Sequence, residues 1–188
     1  MGTLTLAMFM TLDGFTETTE GEMIGPEWSD DLLTHWAEVN AREGQMLLYG
    51  RKSFEFNSIF WPTMVEKAET ADFRAFAEVM NGLPKVVVSD TLSEVGWNAR
   101  VVNGPLDKAV RILKGEFPGE IVAIGGMTLA KGLLAGDELD GLRLLLLPQV
   151  AVRGRSIFGD DGLERRFTLV SNQSLDTGAV VLSYQAKR

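Results

Sequence analysis

Apolar positions along the chain follow two periods, and the alternation between them predicts both strands and helices. Short apolar runs rich in β-branched residues are typical of buried strands, and glycine, proline or aspartate bounds most of them here. These runs predict strands at residues 3–12, 45–50, 84–89, 120–125, 142–150 and 178–187, and a further strand between Arg166 and Val170.

Between these runs, apolar residues recur three or four positions apart, which is the spacing of one face of a helix. Such stretches predict helices at residues 64–80, 105–115 and 127–135, and another that begins near Ser29 or Asp30 and carries Leu32, Leu33, Trp36 and Val39. Residues 15–25 are polar and punctuated by glycine, so they predict a loop.

Strands and helices alternate over residues 1–135, which predicts a mostly parallel sheet with crossover helices. The strand-rich end of the chain leaves too few residues for crossovers, so it predicts antiparallel strands at one edge. The predicted fold is therefore a single α/β domain over residues 1–188, with a mixed sheet flanked by helices.

The composition excludes several kinds of chemistry. The chain has no cysteine and one histidine, His35, which excludes disulfides and thiolate sites and argues against zinc sites and a serine-histidine triad. The formal net charge of −8 argues against nucleic acid or an anionic membrane as the main partner. With no signal peptide and no membrane-length apolar run, we expect a cytoplasmic protein that binds a small molecule and no metal.

Three predicted strand ends carry residues suited to an anion, and the carboxyl ends of parallel strands lie along one edge of a sheet. Residues 125–128 place two glycines at the start of a helix, where backbone amides could bind a pyrophosphate, although such a turn is equally typical of close packing. Residues 50–53 add two cations and a hydroxyl, and Ser89 adds another hydroxyl. Together they favour a site for an extended ligand with several phosphates. The alternative is that the three junctions are only solvated turns.

Five motifs follow one another along the chain. They are TLDG (11–14), GRKSFE (50–55), PKVVVS (84–89), IGGMTL (124–129) and DGLRLLLLPQVAVRGRSIFG (140–159). In this order they resemble the dihydrofolate reductase-like family, in the branch of the reductase domain of the bifunctional riboflavin biosynthesis deaminase-reductase. The resemblance implies a dihydrofolate reductase-like fold, NADPH as cofactor, hydride transfer to a pyrimidine- or pterin-type heterocycle, and a homodimer.

The resemblance also implies roles for individual residues. The residues that would meet the cofactor are Met8, Phe9, Gly50, Arg51, Lys52, Ser53, Ser89, Gly125, Gly126, Met127, Thr128 and Leu129. Among them, the GRKS and IGGMTL residues would contact phosphates, Ser89 would lie beside the adenosine ribose, and Met8 and Phe9 would flank the nicotinamide.

Candidate catalytic acids are Asp13, in TLDG, and Asp31, near the start of the first helix. The alternative role is turn formation for Asp13 and helix-dipole compensation for Asp31. The tryptophans Trp28, Trp36 and Trp61 could line a flat pocket, although core packing is the alternative, most of all for Trp36.

Three positions depart from the pattern of the family. Asp90 follows Ser89 where the family often has a basic residue, which opens the choice between NADPH and NADH. Gly141 replaces a glutamate, and Arg153 and Arg155 stand in a turn that is usually rich in glycine. These arginines could grip an anionic substrate or be loop charges. Because the sequence marks no catalytic acid strongly, a second hypothesis stays open. It is a non-catalytic dinucleotide-binding protein.

Overall fold

The computed structural model describes residues 1–159 and 164–187, which contain eight strands and five helices. The strands are β1 (Thr3–Thr11), β2 (Met46–Gly50), β3 (Lys85–Val88), β4 (Ala99–Val102), β5 (Glu120–Ile124), β6 (Gly141–Leu147), β7 (Phe167–Ser174) and β8 (Val180–Ala186). The helices are α1 (Asp30–Val39), α2 (Arg51–Lys67), α3 (Ala71–Gly82), α4 (Leu106–Glu116) and α5 (Met127–Ala135). The predicted domain also includes residues 160–163 and 188, which lie outside the described residues.

Among the described residues the strands form one eight-stranded sheet in the order β4-β3-β2-β5-β1-β6-β8-β7. The strands from β4 through β6 in this order are parallel, β8 is antiparallel to β6, and β7 is antiparallel to β8. The predicted α/β fold, with a mostly parallel sheet and antiparallel C-terminal edge strands, is confirmed.

Helices cover both faces of the sheet and bury two apolar clusters. One cluster packs α1, α2 and α3 against one face, and the other packs α4 and α5 against the opposite face. Successive residues of β1 alternate between them, with Leu6 and Met8 in the second cluster and Ala7 and Phe9 at the first. No helix in residues 1–159 and 164–187 has both the length and the apolar character needed to cross a membrane.

The predicted helix over residues 64–80 is wrong in its boundaries. The chain instead forms α2 and α3, separated by an extended break at which the Thr70 side chain accepts the amide N–H of Phe73 at 3.2 Å. Both helices bury apolar residues in one cluster, so the helical period continues across the break. In the first turns of α2 the apolar residues Phe56 and Ile59 are exposed, so the apolar positions there do not mark one buried face.

Three strands also differ from the predicted pattern. Strand β7 continues to Ser174, four residues beyond the predicted end at Val170. The short edge strand β4 was not predicted, because its four residues are half-buried or exposed and carry little apolar signal. Strand β6 ends at Leu147 rather than at residue 150, since Pro148 has no backbone N–H to continue the ladder.

Tyr49, at the end of β2, is fully buried against the rings of Phe54 and Trp97. Its hydroxyl has no hydrogen-bond partner among the residues that the structure describes. Burial raises the pKa of Tyr49, so the hydroxyl stays protonated and remains an unsatisfied donor.

We expect Tyr49→Phe to raise the free energy of unfolding by about 1–2 kcal/mol, because it removes a buried polar group without leaving a cavity. Urea denaturation measures the change. Tyr184→Phe, at a half-buried position of β8, is the control and should shift stability by less than about 0.5 kcal/mol. A loss of stability in Tyr49→Phe would mean that the hydroxyl has a partner, such as a buried water.

Candidate active site

A gap opens at the carboxyl edge of the parallel strands, because β5 is shorter than its neighbour β1. Pairing of β1 with β5 ends at Ala7–Ile124, whereas pairing of β1 with β6 continues to Thr11–Leu147. From Met8 onward, therefore, no described strand pairs with β1 on the side of β5. Odd-numbered residues of β1 turn their backbone groups to that side, as Thr3 does toward Gly119, and even-numbered residues turn theirs toward β6, as Leu4 does toward Asp140. The backbone groups of Phe9 therefore face the gap, which suits the role predicted for it, whereas those of Met8 face β6.

Gly125 and Gly126 form the turn from β5 into α5, with φ angles of +65° and +83°. Residues with a side chain avoid this region, and a Cβ on Gly125 would also lie 3.0 Å from Ser53 Oγ. Backbone conformation therefore favours glycine at both positions, and close packing against Ser53 adds to this at Gly125.

The first turn of α5 is open to an anion. The amide N–H groups of Met127 and Thr128 are in the first turn and so have no intrahelical acceptor, and the described residues provide no side-chain cap for them. The side chains of Met127 and Leu129 are buried in the core, so these two residues can offer a ligand only backbone groups, whereas Thr128 is exposed.

A second helix begins beside this turn, since β2 is the neighbour of β5 in the sheet. Helix α2 starts directly after Gly50 and also lacks a side-chain cap among the described residues. The Ser53 hydroxyl joins the two junctions by donating to the carbonyl of Ile124 at 3.3 Å. A Cβ on Gly50 would lie 3.5 Å from the Cβ of Leu129. Two helix N-termini, each with a partial positive charge, thus lie side by side at the gap.

The two predicted cations stand at the start of α2 and are exposed. Arg51 donates to both carboxylate oxygens of Glu55, at 3.1 and 3.2 Å. Lys52 has no ion pair among the residues that the structure describes. An anion that binds Arg51 would have to compete with Glu55.

Ser89 and Asp90 lie at the end of β3, further along the same edge. The Ser89 hydroxyl accepts the amides of Thr91 and Leu92, at 3.3 and 3.2 Å, and so closes its own turn. One carboxylate oxygen of Asp90 accepts the N–H of Gly104 at 2.7 Å. A negative charge therefore stands on this part of the edge, near the position predicted for the adenosine ribose.

Of the three tryptophans proposed as pocket walls, two are core residues. Trp36 and Trp61 are buried, and the Trp61 indole N–H donates to Asn57 Oδ1 at 2.8 Å. Trp28 is the partly exposed one, with its ring perpendicular to that of Phe9 at a centroid distance of 6.1 Å. Trp28 and Phe9 are the aromatic residues placed to contact a flat substrate beside β1.

The Asp13 carboxylate fastens the loop after β6. It accepts the hydroxyl of Thr11 at 2.6 Å and the amides of Ala151 and Val152 at 3.1 and 2.7 Å. The Thr11 hydrogen bond is the main cause that lowers the pKa of Asp13. Val152 is held with φ at +65°, which is unfavourable for a β-branched residue. Thr11 and Val152 were not predicted to matter, since neither has a sequence signal of its own.

Asp31, in the first turn of α1, also links two segments that are distant along the chain. Its carboxylate accepts the hydroxyl of Ser29 and, at 2.7 Å, the amide of Asp176 in the turn between β7 and β8. The Ser29 hydrogen bond is the main cause that lowers the pKa of Asp31. Both proposed acids are therefore ionised at neutral pH and engaged in joining distant segments.

The departures at Gly141 and Arg155 have structural explanations. A Cβ on Gly141 would lie 3.1 Å from Thr5 Oγ1, so close packing between β6 and β1 favours a glycine there. Arg155 lies 3.0 Å from Glu17 Oε2, and its backbone forms a bridge with Glu17 that ties together the loops after β1 and β6. Arg153 is exposed.

A cavity of about 430 Å³ lies at the opposite edge of the sheet, beside Met46, Lys85 and Trp97. The Lys85 ammonium donates to the carbonyls of Asn81 and Leu83, at 3.1 and 2.6 Å, and so closes the end of α3. We therefore place the candidate site at the gap beside β5, where several potential ligand-binding groups converge, and not at this cavity.

The sequence model of the RibD C-terminal domain family matches residues 2–181. The chain belongs to this family. The match covers nearly every residue named at the carboxyl edge of the sheet, and the family is one of reductases.

Related proteins agree with this assignment. The uncharacterized protein YyaP of Bacillus subtilis (strain 168) is 27% identical over 182 residues, covering 95% of this chain and 92% of YyaP. A candidate riboflavin biosynthesis protein from Shewanella sp. PV-4 has a TM-score of 0.69 at 18% identity, covering 99% of both chains. Dihydrofolate reductase from Enterococcus faecalis, complexed with NADP(H), has a TM-score of 0.65 at 14% identity, covering 99% of this chain and 97% of that one. At these identities the solved structures establish the dihydrofolate reductase-like fold.

In this RibD C-terminal domain protein we expect Asp13→Asn to speed amide hydrogen exchange at Ala151 and Val152. Because the folded pKa of Asp13 lies below its usual 3.8, the carboxylate stabilises the loop above that pH. The stabilisation is lost as pH falls through the folded pKa. In the wild type, exchange corrected for its intrinsic pH dependence should rise over that acidic range.

Asp31→Asn is the matched control, since it should speed exchange at Asp176 and leave residues 151 and 152 protected. If Asp13→Asn left those two amides as protected as in the wild type, Asp13 would not be what holds the loop.

Proposed function

We propose that the protein is an NADPH-dependent reductase that transfers a hydride to a small heterocyclic substrate of the pyrimidine or pterin type. The observation that carries the proposal is the meeting of two uncapped helix N-termini beside the open edge of β1. Membership of a reductase family supports the reaction class, and the NADP(H) complex of a protein with the same fold supports the cofactor.

The cofactor's pyrophosphate would bind the amides of residues 126–128, with the start of α2 on its other side. In a chain of net charge −8, a double anion needs a local positive potential, which the two helix N-termini supply. Gly125 and Gly126 allow the close approach of the backbone. Arg51 and Lys52 would add charge–charge attraction from the exposed rim.

The nicotinamide would lie in the gap left by β5, against the open backbone of Phe9 and beside Met8. When bound, NADPH supplies the hydride, so the protein needs to hold the substrate rather than supply a reactive group. Trp28 and Phe9 would hold the flat ring of the substrate in contact distance of the nicotinamide. The loop that Asp13 fastens would limit access of water to the same place.

The reaction also needs a proton donor, and neither candidate acid of the chain is suited to that role. Asp13 and Asp31 carry lowered pKa values and accept hydrogen bonds, so neither is suited to donate a proton at neutral pH. This favours a water molecule as the proton source. The same observation favours the second candidate, a dinucleotide-binding protein without turnover.

The preference between the two cofactors depends on the end of β3. The 2′-phosphate of NADPH would meet the carboxylate of Asp90, whereas the 2′-hydroxyl of NADH could donate to it. Arg51 and Lys52 are the cations that offset this repulsion in the proposal. The proposal also includes that the protein is a cytoplasmic homodimer and that it binds neither nucleic acid nor membranes.

The test compares two glycines with the same unusual conformation. Gly126→Val should weaken NADPH binding at least a hundredfold, roughly the loss of two charge-assisted contacts, because the side chain blocks backbone approach. Gly44→Val is the control, since Gly44 has a φ of +82° and open space around it, far along the chain from the site. Tryptophan fluorescence reports binding, and absorbance at 340 nm reports oxidation of NADPH with pyrimidine and pterin substrates.

The outcomes separate the candidates. Binding together with oxidation that Gly126→Val alone removes supports the reductase. Binding without oxidation of any substrate supports the non-catalytic protein. Absence of binding to NADPH and NADH in the folded wild type would contradict both and leave the glycines with a packing role only.

A further inference from the structure

One face of α2 is apolar and exposed. Residues with helical spacing, Phe56, Ile59, Phe60, Thr63 and Met64, line a shallow groove of about 280 Å³ whose walls are almost entirely apolar. Phe56 and Phe60 stack at a centroid distance of 5.5 Å, and Ile59 is 73% exposed. These five residues are called the α2 stripe.

The exposed residues of the stripe, Phe56 and Ile59, lie outside the face that α2 buries, whereas Phe60 and Met64 are half-buried and pack against the core at its boundary. Phe54 and Trp61 point into the core and anchor the helix there. A helix on the surface of a monomer normally places polar residues on its outward face, so a second apolar stripe indicates a binding surface. Nothing about the candidate active site accounts for Ile59, which is more than two helical turns from Gly50.

The charges at the ends of the stripe indicate what binds it. Lys52 and Glu66 lie seven positions before and after Ile59, which places both on the same flank as Ile59. Both are exposed, and neither has an ion pair among the residues that the structure describes. Lys67, the residue after Glu66, lies about 100° further around the helix and is therefore not on this flank.

This arrangement complements itself. When two copies of α2 pack antiparallel about a two-fold axis at Ile59, each Lys52 lies beside the other copy's Glu66, since both are about 10.5 Å from the axis. A two-fold axis perpendicular to both helices places the same flank of each helix on the same side of the interface. Lys52 of one copy and Glu66 of the other therefore lie on one side and can pair. The apolar residues between them would be buried from both sides.

We propose that the α2 stripe is a homodimer interface in which α2 of one copy packs antiparallel against α2 of a second copy. The net charge of −8 on each copy opposes association elsewhere on the surface, whereas the five stripe residues are uncharged and the nearest charge between the two ends, Glu55, is paired with Arg51. The edge strand β7 is a poorer surface for strand pairing, because a bulge between Leu169 and Ser171 interrupts its ladder. The inference rests on the proposed homodimer and is independent of the proposed reductase activity.

Sedimentation equilibrium on the purified chain tests the proposal. The wild type should be a dimer at micromolar concentration, and Ile59→Glu should be a monomer because it places two carboxylates face to face on the axis. Ile112→Glu is the matched control, an exposed isoleucine on α4 at the opposite face of the sheet, and should remain a dimer.

The charge pairs test the antiparallel register. Glu66→Lys should weaken the dimer about tenfold or more by placing it beside Lys52 of the other copy, and the double variant Lys52→Glu/Glu66→Lys should restore it. A monomeric wild type, or a dimer that Ile59→Glu leaves intact, would overturn the proposal. NADPH binding, measured on the wild type and on Ile59→Glu, in which Lys52 is unchanged, reports on the reductase proposal separately, so failure of one is distinguishable from failure of the other.

Discussion

The early end of β5 is the constraint on which the candidate site depends. Because β5 stops at Ile124 while β1 continues to Thr11, the middle of the sheet has a gap at its carboxyl edge. The turn into α5 has to fit beside Ser53, which only glycine in a left-handed conformation allows. The same turn brings the start of α5 beside the start of α2. One local feature of the sheet thus creates the open strand edge and the two positive helix ends.

The polar residues around this gap are largely occupied by structural tasks. Asp13 holds the loop after β6, Asp31 holds the turn after β7, and Ser89 closes its own turn. What remains for a ligand is mostly backbone, at Phe9 and residues 126–128. A site built from backbone groups suits a protein whose reacting group is supplied by a cofactor. It also explains why the chain can do without cysteine and needs no histidine in the site.

The sequence predicted the fold class and the ends of the parallel strands β2, β3 and β5 well, because buried parallel strands are apolar throughout and are bounded by turn-forming residues. It placed the residues 50–53 and 125–128 on one edge, where the structure also has them. It could not predict the gap, since strand lengths depend on pairing rather than on local pattern. Nor could it show that Glu55 pairs with Arg51 or that Val152 depends on Asp13, because these contacts follow from side-chain geometry. The split between α2 and α3 was hidden by a helical period that both helices share.

The central claim is that the two helix N-termini at the gap bind the pyrophosphate of a nicotinamide cofactor. Titration of isotope-labelled protein with NADPH, followed by backbone amide NMR, tests it most directly. The account predicts large downfield shifts at Gly126, Met127 and Thr128, with smaller changes at residues 50–53 and at Met8 and Phe9. Unchanged amides at residues 126–128, with shifts elsewhere or none at all, would contradict it.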